Sequence, residues 1–117
     1  MRWVACPALL TELPADGVST DAACTLMRMD VFVHDDSLAT VSFWTESNEL
    51  LILAGTRQSG DMYYLTGACP HFEGKLTLMI DSLHRYAIGL LRKNDGAQKA
   101  PWLAKVDIFL DESDDAV

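Results

Sequence analysis

Hydrophobic and polar positions alternate along most of the chain, and turn-forming residues interrupt the alternation roughly every dozen residues, the spacing of an antiparallel meander. From Thr25 to His34, the residues Met27, Met29, Val31 and Val33 share one face, while Arg28 and Asp30 take the other. His34-Asp35-Asp36-Ser37 turns the chain into Leu38 to Thr45, which is rich in β-branched and aromatic residues. After a second turn at Glu46-Ser47-Asn48-Glu49, the run Leu50 to Ala54 is apolar on both faces, which predicts a central strand covered on both sides. Met62 to Thr66 and Lys75 to Ile80 read as further strands around a loop from Gly67 to Gly74, and Leu103 to Leu110 as the last.

Between these segments the period changes. Apolar positions 83, 86, 87, 90 and 91 form the stripe of an amphipathic helix, with Arg85, Arg92 and Lys93 off the stripe. Asp81 or Ser82 suits its start, two cations suit its last turn, and Asn94-Asp95-Gly96 supplies a stop. The spacing predicts a helix over about 82–94. A strand hairpin fits the same residues, because Tyr86, Ile88 and Leu90 alternate with Ala87 and Gly89, and a helical glycine costs about 1 kcal/mol relative to alanine. At the N-terminus Pro7 opens a short helix through Leu13, and Thr20 caps a further one beginning at Asp21. The expected fold is α+β, a curled antiparallel meander of about six strands with one amphipathic helix packed on one face; the alternative is an all-β barrel or sandwich.

Composition bounds this picture. With 117 residues, half of them hydrophobic, the chain supplies one core, and a single globular domain over 1–110 is expected. The net charge of -8 is unevenly spread: residues 82–110 carry five bases against two acids, whereas Asp111, Glu112, Asp114 and Asp115 crowd the segment 111–117, read as an acidic disordered tail. A balance of 17 acids to 9 bases argues against contact with phosphate backbones or anionic lipid, so neither nucleic acid nor membrane is an expected partner. Three cysteines without a CxxC pair suit a reducing compartment. No early stretch has the form of a signal peptide, and no uncharged run approaches the ~20 residues of a membrane-spanning helix. The expected location is the cytoplasm.

Candidate chemistry is sparse. The chain has no P-loop, GxGxxG, GxSxG or HExxH motif, which leaves enzymatic activity without a readable signature. The segment Cys69-Pro70-His71-Phe72-Glu73-Gly74, followed by Asp81-Ser82-Leu83-His84, resembles the two ligand pairs of Rieske iron–sulfur domains. That resemblance would imply a [2Fe–2S] cluster. Asp81, however, stands where the second cysteine belongs, and a hard oxygen donor does not replace a thiolate on iron. No cofactor is therefore expected. Cys69, His71, Asp81 and His84 remain candidates to hold a single zinc or iron ion if the loop and the helix start converge. The plainer reading makes Cys69 a packed small residue, Asp81 an N-cap, and both histidines surface side chains. His34 beside Asp35 and Asp36 is explained by a polar turn, and Met27, Met29, Met62 and Met79 by core filling. Of Trp3, Trp44 and Trp102, an exposed one would mark an interface.

Three functions fit these residues: a non-enzymatic module binding another protein or a second copy of itself, a metal or redox site at Cys69, His71 and His84, and a small-ligand pocket between sheet and helix. The dipolar charge layout favours the first.

Overall fold

The computed structural model describes residues 1–13, 24–34, 37–45, 48–69, 72–94 and 102–110, with the side chains of Phe72 and Trp102 outside the description. Eight antiparallel strands run in chain order: β1 (Arg2–Leu13), β2 (Cys24–Val33), β3 (Leu38–Trp44), β4 (Leu50–Ser59), β5 (Met62–Cys69), β6 (Phe72–Asp81), β7 (Tyr86–Asn94) and β8 (Trp102–Phe109). Each pairs with its sequence neighbours, and β1 pairs with β8 from Ala8↔Ile108 to Leu13↔Leu103, which closes a barrel. Closure removes the unpaired edges that an open sheet presents.

The alternation read from the sequence is the alternation between inside and outside. Met29, Val31, Val41, Leu51, Leu53, Leu65, Leu76, Leu78, Val106 and Ile108 point inward and are fully buried, so the barrel interior is a packed core. Smaller residues, including Ala8, Ala39, Ala87 and Ala104, let the larger ones interdigitate across it.

The α+β expectation is overturned: among the described residues there is no helix, and the whole is an all-β barrel of eight strands. Ser82 to Arg85 form a turn, with Arg85 at φ 56°, and the remainder of the expected helix is β7. The helical stripe would have placed Leu83 and Leu90 in the core with Ala87 and Leu91. Instead Ala87 and Leu91 are buried while Leu83 is 84% exposed and Leu90 44%. Two full ladders decide the outcome, since β7 bonds β6 from Tyr86 to Asn94 and β8 from Tyr86 to Lys93. A helix there would leave both neighbours with open edges, and a single helix of such length is marginal alone. Gly89, unfavourable in a helix, fits here because a Cβ would lie 2.4 Å from the Thr77 carbonyl oxygen.

The N-terminal helix from Pro7 is likewise replaced by β1. Its pairing with β2 shifts between Trp3 and Cys6, where Ala5 takes φ 53°. Pro7 stands just after this bulge, a place where strands tolerate proline. The helix expected from Thr20 and the acidic tail lie outside the described residues. Leu50 to Ala54 is also not a doubly covered strand, because every strand of a closed barrel has one outer face. Leu51 and Leu53 fill the core, and Leu50 and Ile52 remain 44% and 50% exposed.

Candidate functional site

The four candidate ligands are divided by β6. Cys69 ends β5 and pairs with Phe72 at one end of the barrel, whereas Asp81 ends β6 at the other and pairs with Tyr86. Nine residue steps at ~3.3 Å put these ends ~30 Å apart, far beyond the reach of ligands around one ion. His71 lies outside the described residues. Among those described, no three His, Cys, Asp or Glu side chains gather in a metal-holding group. The likeness to the Rieske ligand pairs therefore stops at the sequence, since a shared cluster needs both pairs at one end.

Asp81 and His84 do meet, as parts of a turn. One Asp81 carboxylate oxygen accepts from the His84 backbone N–H at 3.1 Å, and the other lies 2.7 Å from His84 Nδ1. The ring contact, with the backbone bond second, holds the Asp81 carboxyl below its usual range. Cys69 packs against the core, Cys6 lies within it, and exposed Cys24 approaches the Thr11 hydroxyl at 3.8 Å. His34 bonds the Thr40 hydroxyl at 3.0 Å and sets its ring against Phe32. Met27 and Met29 face the core, but Met62 and Met79 are paired with each other across β5 and β6 on the outer side, so the four do not line a common groove.

The outer wall holds what the strand pattern concealed. Lys75 on β6 stands directly opposite Arg92 on β7, in a row running Thr66, Lys75, Arg92, Leu103 across four strands. The next row is Tyr64, Thr77, Leu90 and Lys105. Together they line an open depression of about 460 Å³ between Tyr64, Lys75, Thr77, Leu90, Arg92 and Leu103. Like charges directly opposite in an antiparallel pair are unfavourable. Neither cation has an ion pair or side-chain hydrogen bond among the described residues, whereas neighbouring Lys105 lies 3.8 Å from Asp107. Asp107, the acid closest along β8, is buried and accepts the Tyr86 hydroxyl, so it is not free to neutralise them.

Continuing around the barrel, the outward positions of β3, and of β4 as far as Thr56, carry no charge: Leu38, Thr40, Ser42 and Trp44 on one strand, Leu50, Ile52, Ala54 and Thr56 on the other. Trp44 is 61% exposed and lies opposite Leu50. Ala54 pairs with Thr66 and Thr56 with Tyr64, so this uncharged wall runs without a break into the basic depression. The sequence held two traces of this face. One was the outward half of the Leu50 to Ala54 run, and the other was the excess of bases after residue 82. Lys75 lay in a segment of unremarkable charge, and only the β6–β7 register places it beside Arg92.

No helix among the described residues is long and apolar enough to cross a membrane. No family model, curated relative or solved structure was found to match the chain.

Proposed function

We propose that the protein is a non-enzymatic interaction module of the cytoplasm, and that it docks a partner protein across the outer face of β3 to β7. The observation that carries this reading is the unneutralised Lys75–Arg92 pair bordered by Tyr64 and an uncharged wall bearing an exposed tryptophan. A folding sequence gains nothing from two opposed cations on a wall with free choice of residue, whereas a partner presenting carboxylates beside apolar side chains would satisfy both halves. Trp44 has the size and rigidity of an interface anchor.

The closed barrel narrows the mode of binding. Because each strand pairs with both of its neighbours and the ladders β5–β6, β6–β7 and β7–β8 run nearly end to end, recognition on this face falls to side chains on the wall. The small-ligand reading fares worse, because large apolar side chains fill the interior where a barrel would hold a ligand. The placement in the cytoplasm rests on three free cysteines and on charged residues such as Arg28, Asp30, Lys75, Arg92 and Lys105 along an outer wall that a bilayer-spanning barrel would keep apolar.

Affinity capture with the purified protein, compared with Trp44→Ala and with the double variant Lys75→Glu, Arg92→Glu, tests the face. A partner held by the parent protein and lost by both variants is the expected result. Capture by all three alike, or by none, rejects it.

A further inference from the structure

The docking reading leaves open what the partner presents to Lys75 and Arg92, and the charge and donors of the depression narrow it. We infer that the group received there is the phosphoryl group of a phosphorylated side chain on the partner protein. The inference rests on the reading of the β3 to β7 face as a docking surface.

Charge is the first argument. Lys75 and Arg92 are directly opposed on β6 and β7, so their Cβ atoms lie ~4.5–5.5 Å apart and their long stems let both heads converge on one point above the wall. Glu73, two residues from Lys75 on the same face of β6, stands in the next row opposite Asn94, and among the described residues it forms no ion pair with Lys75. Two positive charges so close call for two negative charges in the same space. A partner offering two carboxylates at that spacing would bear the same like-charge penalty on its own surface. A phosphate monoester carries about -1.5 to -2 on one covalent group, so it matches the pair without opposing charges on separate residues.

The donors are the second argument. Arg92 offers phosphate oxygens a planar fork of N–H groups, and the Lys75 ammonium adds three donors. The hydroxyls of Tyr64 and Thr77 line the same depression, and neither is bonded among the described residues. Three phosphoryl oxygens accept from all four groups, whereas a carboxylate has two. Leu90 and Leu103 flank the cations with apolar surface, which suits the carbon body that carries the phosphoryl group.

The whole chain supplies the third argument, which concerns the source of the phosphate. Nucleic acid would press a row of phosphates against a chain of net charge -8. A single phosphoryl group meets the local pair alone, because charges farther than ~8 Å are largely screened at physiological ionic strength.

Amide chemical shifts of the full chain, titrated with peptides Ala-Leu-Xaa-Leu-Ala, give the direct test, where Xaa is phosphoserine, its singly charged methyl phosphodiester, or glutamate. The expected result is saturable binding of the phosphoserine peptide, centred on the amides around Lys75 and Arg92 and about tenfold or more tighter than the other two. Lys75→Gln with Arg92→Gln should abolish it, and high salt should weaken it. If that double variant fails to match the parent's thermal unfolding, Lys75→Gln alone replaces it, with an expected loss of about tenfold. A diester or glutamate peptide that binds as tightly, a phosphoserine peptide that binds the variant like the parent, or no binding at all overturns the inference. Inorganic phosphate held as tightly as the phosphoserine peptide assigns the depression to the free ion and overturns the partner's side chain as the source. Phosphatase treatment before affinity capture separates this inference from the docking reading. Loss of the captured partner on treatment is expected. A partner still captured by the treated parent, and still lost by Trp44→Ala and by Lys75→Glu with Arg92→Glu, keeps the docking face and overturns the phosphoryl group.

Discussion

Charged side chains on the outer wall of β1 and β2 and those on the outer wall of β6 and β7 occupy equivalent places in one barrel, yet they are used in opposite ways. On β2, Asp30 accepts the Ala5 backbone N–H at 2.7 Å and Arg28 donates to the Ala5 carbonyl oxygen at 3.2 Å. Both are consumed in holding the bulge where Ala5 takes a left-handed conformation, a conformation that alanine adopts only under constraint. On β6 and β7, Lys75 and Arg92 face each other and hold nothing in place. A charge bonded to backbone serves the fold, and one left opposite its like is available to something outside the fold. Stability and association should therefore respond to different residues.

The largest effect is expected from removing a consumed charge. Asp30→Ala leaves the Ala5 N–H without its charged acceptor and frees the bulge, at a cost of about 1–3 kcal/mol in urea unfolding. The same substitution should leave association through β6 and β7 untouched. If Asp30→Ala unfolds with the parent midpoint, the bulge is held by packing alone and the contrast between the two walls loses one side.

Tyr86 and Asp107 come next, because they explain why the cations on β6 and β7 stay free. The bond to Asp107, with burial second, pushes the Tyr86 hydroxyl up to about 12. A raised value favours the neutral, donating form, so this contribution to stability is complete below pH 10 and is lost as the pH climbs from 10 toward about 12. Tyr86→Phe should lose about 1–2 kcal/mol at neutral pH and flatten that alkaline decline. Tyrosinate absorbance should show a late ionisation toward about pH 12 that Tyr86→Phe removes. A titration whose alkaline end is unchanged by Tyr86→Phe would release Asp107 from this role.

These differences in use were only partly legible in the residues. Alternation at Thr25 to Val33, Leu38 to Thr45 and Lys75 to Ile80 gave the strands, because period two survives wherever one face is core. It failed at β7, where Ala87 and Gly89 are small for reasons of barrel packing and left a pattern that also reads as a helical stripe. The Leu50 to Ala54 run misled for a related cause: outward Leu50 and Ile52 look like core residues to any count of hydrophobicity. Of the site, the basic excess after residue 82 was visible, but Lys75 and Arg92 are 17 residues apart in sequence and meet only through register. The Cys69 to His84 spacing suggested proximity, and β6 turned the same interval into the length of the barrel.

On the free side, the expected stability change is smaller and has the opposite sign. Lys75→Glu replaces an opposed pair of cations with an ion pair facing Arg92, and cross-strand pairs of this kind contribute roughly 0.2–1 kcal/mol. The variant should unfold at slightly higher urea while losing association, so that the two measurements move apart. Loss of stability would mean that Lys75 supports the fold after all, and the distinction between the two walls would fail at its most exposed point.

The smallest effect is expected at the turn below β6, where a third charge is consumed locally. Asp81 is held below its usual value of 3.8 by its bonds to the His84 ring and backbone. A lowered carboxyl contributes stability that is present above 3.8 and lost as the pH falls through its folded value, so the effect belongs to the acid limb alone. Because both side chains stand largely in solvent, salt screens it, and it appears as a slope and not as a change in neutral-pH stability. Asp81→Asn keeps an acceptor for the His84 N–H but has no carboxyl to protonate. Its urea midpoint should match the parent near neutrality and fall less steeply in acid, with the gap narrowing in high salt. Superimposable acid limbs would show that the turn is set by backbone geometry, with Arg85 at φ 56° as its anchor, and that the Asp81 charge resembles the free cations more than the consumed ones.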